Sequence, residues 1–290
     1  MQTITTIQQL RNALDSVRRV GRSIGLVPTM GYLHEGHARL VTTARAQNDE
    51  VVVSIFVNPL QFGPNEDFAQ YPRDLHHDEQ LLASLGCDIV FAPSVDEIYP
   101  EPAVTLVDLP AMSQVLCGRT RPIHFRGVAT VVSKLLHIVQ PDKAYFGQKD
   151  GQQLAIIRRM VQDLNFPVEI VGVPTVREPD GLAKSSRNIY LSQLERSHAT
   201  VLYRALQAAV ADVAAGQISA AMVIANMAAL ISAEPEVRLD YAEVVNAQTL
   251  QPMDRLSGSI MMAVAAYVGK TRLIDNVLLE LPPLDSPNVP

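Results

Sequence analysis

Residues 23–37 read Ser-Ile-Gly-Leu-Val-Pro-Thr-Met-Gly-Tyr-Leu-His-Glu-Gly-His. The opening apolar run, 23–27, predicts a strand. From His37 to position 48 the pattern changes period, placing Leu40, Val41 and Ala44 on one helical face. A strand that passes through a glycine-bearing loop into a helix is the first half of a βαβ unit. The same alternation continues downstream. Residues 51–57 (VVVSIFV) form a continuous β-branched run, the mark of a strand covered on both faces. Helix-patterned segments at 74–85, 126–139 and 150–164 then alternate with strand-like runs at 88–91, 143–146 and 168–173. The expectation is a Rossmann-like, doubly wound parallel sheet over residues 1–175, with the first fourteen residues read as a helix.

Beyond that point the pattern differs. Residues 191–231 are Ala-rich and helical in period. They are followed by strand-like runs at 237–245, 260–268 and 271–279, with Gly269-Lys270 placed to turn a hairpin. Residues 176–290 are therefore expected to form a smaller α+β domain, joined through a segment containing the turn signal Pro179-Asp180-Gly181. The Pro-rich end, PPLDSPNVP, is expected to fray.

A chain of 290 residues with 48% hydrophobic and 19% charged residues can bury a sizeable core. Its 24 basic against 30 acidic residues, a net charge of −6, argue against a broad nucleic-acid surface. Two cysteines, Cys87 and Cys117, outside any C-x-x-C pair disfavour a disulfide scaffold or a thiolate zinc site. A reducing cytoplasmic setting is the expectation. No run approaches the roughly 18 consecutive apolar residues of a membrane span, and no signal-peptide pattern opens the chain.

The loop at 30–37 is also where chemistry is expected. In an open α/β sheet, ligands bind beyond the carboxyl ends of the strands, where helix N-termini offer free N–H groups to phosphate. Gly31 and Gly36 permit close approach, and His34 and His37 can donate to phosphate oxygens. The spacing is i, i+3, not the i, i+4 of H-E-x-x-H zinc sites. Neither a Walker loop nor G-x-G-x-x-G is present. A second stretch, Lys184-Ser185-Ser186-Arg187-Asn188, carries two cations and two hydroxyls that could clamp a polyphosphate. Either stretch alone could be solvated surface.

H-x-G-H after the first strand, with a K-S-S-R loop after the last, resembles the nucleotidyltransferase superfamily. PTMGYLHEGHARLV, SIFVNPLQFGPNEDFAQYPRDL, HFRGVATVVSKLLHIVQPDKAYFGQKDGQQL, GLAKSSRNIYLS and GKTRLIDN resemble, in order, the pantothenate synthetase (pantoate–β-alanine ligase) family. The resemblance implies ATP-dependent condensation of pantoate with β-alanine through a pantoyl adenylate, with release of AMP and pyrophosphate. It implies that Met30, Gly31, Tyr32, Leu33, His34, Glu35, Gly36 and His37 line the ATP site, with His34 and His37 catalytic and His37 the general acid candidate. Gly147, Gln148, Lys149 and Asp150 would contact ATP, Lys149 through phosphate and Asp150 through ribose. Val176 would touch adenine. Lys184, Ser185, Ser186 and Arg187 would hold the triphosphate, Lys149 and Arg187 counting among the catalytic residues. Gln61 and Gln153 would bind pantoate.

The sequence identifies no protein ligand for magnesium, which is expected to arrive on ATP and be held mainly by phosphates. A homodimer is implied, for which the apolar run 104–107 could serve, and the second domain is expected to act as a lid. Arg121, His124 and Arg126 are read either as substrate contacts or as structural ion pairs. No role is assigned to His76, His77 or His137. The chain departs from the family pattern at Lys184, Ile123, Gln148 and Gly151, where an apolar residue, a glycine, an acid and an aromatic are usual. The other functions considered are transfer to another small acid or a phosphorylated acceptor, a tRNA-interacting synthetase paralogue, and a nucleotide sensor. The two amides favour pantoate over a phosphorylated acceptor.

Overall fold

The computed structural model describes residues 1–64 and 66–283. Most of the Pro-rich tail, from residue 284 on, lies outside the described residues. In chain order the elements are β1 (Gln2–Ile4), α1 (Ile7–Arg19), β2 (Ile24–Thr29), α2 (Glu35–Gln47), β3 (Glu50–Ile55), α3 (Leu75–Ser84), β4 (Ile89–Phe91), α4 (Val95–Ile98), α5 (Pro110–Ser113), α6 (Cys117–Thr120), α7 (His124–Val139), β5 (Lys143–Gly147), α8 (Gly151–Asp163) and β6 (Glu169–Val173). There follow α9 (Gln193–His198), α10 (Val201–Ala214), α11 (Ala220–Ser232), β7 (Val237–Asn246), β8 (Gly258–Val268) and β9 (Thr271–Leu281). Two compact units emerge. One comprises Met1–Gln114, Gly118–Gln148 and Ile156–Val176; the other takes Val115–Cys117, Lys149–Ala155 and the chain from Arg177 on.

The first unit holds a six-stranded, all-parallel sheet in the order β1-β4-β3-β2-β5-β6. Val51, Val52 and Val53 of β3 are wholly buried. Side chains alternate across a strand, so Val52 faces away from its two neighbours. Val51 and Val53 join Val27, Val90 and Tyr145 in a core with Leu40, Val41 and Ala44 of α2 and Leu82 of α3. A strand covered on both faces needs apolar residues at every position, which is why this run carries no polar alternation. The expected α/β architecture is therefore present. From β2 the chain winds outward through β3 to β4, and β5 then starts on the other side of β2. The carboxyl ends of β2 and β5 accordingly flank the point where strand order reverses, the usual crevice for a ligand in such sheets.

The helix expected over the first fourteen residues is corrected. Gln2–Ile4 form the edge strand β1, paired in parallel with β4. Thr6 then caps α1 by accepting from the Gln9 N–H. The β-branched residues in QTIT satisfy the open edge of β4, and the helix starts only at the residue after its cap.

In the second unit β7, β8 and β9 form an antiparallel sheet. Val268 pairs with Thr271, leaving the two-residue turn Gly269-Lys270. Val264, Ala266 and Val268 of β8 pack with Leu202, Leu206, Val223 and Met227 of α10 and α11. This unit has the α+β composition that the helical stretch followed by paired strands requires.

Candidate active site

The loop between β2 and α2 begins with two consecutive residues at positive φ, Gly31 at 82° and Tyr32 at 52°. A Cβ at Gly31 would stand 3.0 Å from both the Asp78 carboxylate and Ile55. Left-handed backbone and crowding together suit glycine there. The turn exposes the N–H groups of Tyr32 and Leu33 on one side, and Asp78 takes both. Its two carboxylate oxygens accept from Tyr32 N at 2.8 Å and Leu33 N at 2.7 Å. Asp78 lies on α3 and is 1% exposed. Burial pushes its carboxyl above the ordinary carboxylate value, and the two backbone donors pull the other way.

Asp78 belongs to no motif, and it follows directly on the exposed His76 and His77. Its only signal in the sequence is an acidic residue four positions before buried Leu82, on the apolar face of α3.

His34 is the N-cap of α2 and His37 lies at the third helical position. The Gly36 N–H donates to Nδ1 of His34 at 3.0 Å, and the His34 N–H donates to Nδ1 of His37 at 3.3 Å. A backbone N–H can only donate, so both Nδ1 atoms act as acceptors. In the neutral ring the proton then sits on Nε2. The rings lie 4.1 Å apart. The helix thus spends two of its unpaired N–H groups on orienting two imidazoles, each offering an Nε2–H as a donor suited to an anion. In this state His37 carries its ring proton on Nε2.

Gln61 ends a short 3-10 turn at Pro59–Gln61 and is 7% exposed. Its Nε2 approaches Sδ of Met30 at 3.1 Å, so the amide lies against the loop that leads to His34. Its Oε1 accepts from Nδ2 of Asn58 at 3.1 Å. The backbone of the turn is held from α7 and the segment before it. Nδ1 of His124 lies 2.9 Å from the Gln61 carbonyl oxygen, and Arg121 donates to the same oxygen while pairing with Glu66. Arg121 and His124 therefore support the residue expected to hold pantoate. Arg126 forms no ion pair among the described residues. The first unit also contains Gly147 and Gln148 at the carboxyl end of β5, and half-buried Val176 after β6.

The remaining expected residues belong to the second unit. Nζ of Lys149 lies 3.6 Å from the Asp150 carboxylate, and the Lys149 carbonyl accepts from Asn276 Nδ2 at 2.7 Å. Gln153 is half-buried and its side chain makes no hydrogen bond with a described residue, whereas the side chain of its neighbour Gln152 is committed to the backbone of Val115 and Cys117. At Gly151, Met261 and Asn276 already fill the place a side chain would take.

The loop at 184–188 starts from an anchored base. Arg177 forms a bidentate pair with Asp275, a residue only 3% exposed, and stacks 4.4 Å over Tyr203. Arg177 and Ala183 then bridge across the turn at Pro179-Asp180-Gly181. Lys184 pairs with Glu178 at 2.8 Å. Ser185 Oγ accepts from the Arg187 N–H at 3.3 Å, starting a 3-10 turn at Ser186–Tyr190. Among the described residues, no group of three or more His, Cys, Asp or Glu side chains forms a metal centre. The first unit offers imidazoles and the second hydroxyl, ammonium and guanidinium groups, each of a chemistry that fits phosphate.

A family model described as pantoate-beta-alanine ligase matches residues 2–278. A pantothenate synthetase of Moorella thermoacetica is 56% identical over 281 residues, covering 97% of this chain and 99% of that protein. One from Geobacillus kaustophilus is 53% identical, covering 97% and 93%. Among solved structures, pantothenate synthetase from Thermus thermophilus superposes with a TM-score of 0.91 at 50% identity, over 98% of this chain and all of that one. The pantoate-beta-alanine ligase of Francisella tularensis, solved with beta-gamma ATP and beta-alanine, gives a TM-score of 0.78 at 36% identity, over 96% and 97%. A match over nearly the whole chain at these identities places it in the pantoate-beta-alanine ligase family, the pantothenate synthetases.

Proposed function

We propose that the chain joins pantoate to β-alanine at the expense of ATP, through a pantoyl adenylate. The observation that carries the substrate is Gln61: a buried, uncharged amide held with Nε2 against Met30 and Oε1 on Asn58. A neutral donor suits a hydroxy acid whose carboxylate must stay nucleophilic, where a lysine or arginine would bind it as an ion pair. A carboxylate oxygen of pantoate attacks the α-phosphorus of ATP. The bond from that phosphorus to the bridging oxygen breaks, and pyrophosphate leaves with the electron pair. The amine of β-alanine then attacks the acyl carbon of the mixed anhydride, AMP departs, and the nitrogen loses its proton.

His34 and His37 donate Nε2–H to the phosphates as charge moves onto the leaving group, and the loop from Met30 to His37 lines the nucleotide. Gly147, Gln148, Lys149, Asp150 and Val176 serve as ATP contacts. Lys184, Ser185, Ser186 and Arg187 are the triphosphate donors of the second unit, and Gln153 is the second pantoate amide. For Lys184 to take this role it must exchange its carboxylate partner, Glu178, for phosphate. Magnesium brought by the nucleotide would offset phosphate charge; the protein's imidazole, hydroxyl and cationic donors fit the phosphates that would carry it.

No helix among the described residues is long and apolar enough to cross a membrane. Neither cysteine forms a disulfide, in keeping with a reducing cytoplasm. A homodimer through the first unit draws support from residues 104–107. There no strand forms within the chain, and Val104 is 97% exposed.

The decisive experiment incubates the protein with MgATP and D-pantoate, with and without β-alanine, and follows AMP and pyrophosphate. Pyrophosphate should appear with pantoate alone, and AMP turnover should require both acids. AMP release indifferent to either acid would refute the assignment.

A further inference from the structure

Gln61 offers a substrate either a donor or an acceptor, depending on which way its amide is turned, and the amide itself has no preference. The choice is made elsewhere in the first unit. Nδ2 of Asn58 donates to the Gly127 carbonyl at 3.1 Å, and Oδ1 of Asn58 accepts from the Leu60 N–H at 3.3 Å. Both partners have a single polarity, so they set which end of the Asn58 amide is which. The Leu60 bond is long. The shorter bond to Oδ1 comes from the Tyr99 hydroxyl at 3.0 Å, contributed from a segment 41 residues away. Oδ1 can only accept, so Tyr99 must donate.

With Oδ1 held, Nδ2 of Asn58 faces Oε1 of Gln61, and Nε2 of Gln61 is left toward Met30. Asn58 is 1% exposed, so no water stands ready to replace a lost partner. Burial pushes the Tyr99 hydroxyl above its ordinary value, keeping the proton on the donor.

We propose that Tyr99 is a positioning residue for the organic acid: its hydroxyl holds Oδ1 of Asn58 in the orientation that the Gly127 carbonyl and the Leu60 N–H select, and so keeps the Gln61 amide with Nε2–H toward the substrate. This rests on the reading of Gln61 as a pantoate contact. Tyr99 touches no substrate in this scheme. Its effect falls mainly on the organic acid, because the relay ends at Gln61 and meets the nucleotide loop only at the Met30 sulfur, short of His34 and His37.

The test is Tyr99→Phe, with Gln61→Ala and the double variant beside it. Phenylalanine keeps the ring that packs 6.1 Å from Phe56 and lies 5.2 Å from the Lys134 ammonium, so the fold is retained. Loss of the hydroxyl should raise the KM for pantoate about three- to tenfold, the range set by one buried hydrogen bond, and leave the KM for ATP within about 1.5-fold. In the Gln61→Ala background, removing the hydroxyl should add nothing to the pantoate KM, because the group it orients is gone. A merely structural role for Tyr99 would lower the melting temperature and the active fraction while leaving both KM values alone. Equal rises in both KM values, or full additivity in the double variant, would overturn the proposal. If Gln61→Ala itself leaves the pantoate KM unchanged, the assignment of Gln61 fails. If Gln61→Ala raises it and Tyr99→Phe does not, the orienting role alone fails.

Discussion

Gly127 lies in the second turn of α7, where alanine would ordinarily stabilise the helix by roughly 1 kcal/mol. Here we expect alanine to damage the enzyme. A Cβ at this position would stand 2.3 Å from the Leu60 carbonyl oxygen, 2.4 Å from its carbon and 2.6 Å from the Gln61 nitrogen. All three are backbone atoms of the turn that carries Gln61, so no side chain can swing aside. Restoring an ordinary contact of 3.4 Å requires a retreat of about 1.1 Å. The same movement stretches the bond from Asn58 Nδ2 to the Gly127 carbonyl, now 3.1 Å. Overpacking of this kind costs about 1–3 kcal/mol, partly offset by the helix propensity of alanine, so Gly127→Ala should remain folded with a modest change in melting temperature. A displacement near 1 Å at a substrate-positioning group is worth on the order of 100-fold in rate. The assay is AMP release at saturating ATP and β-alanine across a pantoate series, with thermal melting in parallel. We expect kcat/KM for pantoate to fall about 30- to 100-fold, with the KM for ATP little changed. A fall of less than twofold would refute the reasoning, since the turn would then have absorbed the methyl group without moving Gln61.

Asp78→Asn removes a charge and turns an NH2 group toward one of two backbone donors; losing one charge-assisted bond of about 1.5–3 kcal/mol should slow pantoate-dependent pyrophosphate release about 10- to 100-fold. A fall under threefold would show that the 31–33 turn holds without it. His37→Asn can place Oδ1 where Nδ1 accepts from His34, but it has no Nε2–H. It should melt close to the parent, while His37→Ala loses about 1 kcal/mol, and both should lose adenylation alike. Activity in the asparagine variant near the parent value would remove the phosphate-donor role. Glu178→Gln breaks the ion pair with Lys184 and should lower the KM for ATP about two- to fivefold, with Lys184→Met moving it the other way. Glu234 bonds to His198 and pairs with Arg204, and these partners depress its carboxyl below the ordinary 4.5. A depressed folded value means the stability it adds is present above pH 4.5 and lost as the pH falls through the folded value. Glu234→Gln should flatten the acid limb of a melting-temperature profile below pH 4.5, and an unchanged limb would exclude this pair as its cause.

What can be read in advance follows the range of the interactions involved. The β-branched run at 51–57 announces a doubly covered strand because burial acts residue by residue along the segment. The capping geometry of His34 and His37 is likewise local, three residues apart on one helix turn. Gln2–Ile4 reads as helix from the sequence because a three-residue edge strand exists only through its ladder with β4, some 87 residues away. Asp78 serves a loop 45 residues distant, and Tyr99 serves Asn58 across 41; neither partner leaves a mark on the local pattern. Gly127 reads as an ordinary small helix residue until the turn pressed against it is known. Gln61 is legible only through family resemblance, since a glutamine after Asn-Pro-Leu otherwise reads as exposed polar loop. The residues proposed to contact substrate thus sit in short, recognisable strings. Those that aim them are scattered across the first unit, each at a position where an acid, a hydroxyl or a missing Cβ is needed for one backbone atom or one amide. This division suggests where a family member can diverge without losing its reaction. On the proposed roles, substitutions at Tyr99 and Gly127 would be felt first in the use of pantoate, and one at Asp78 in the adenylation rate, while H-x-G-H and the two glutamines stay unchanged.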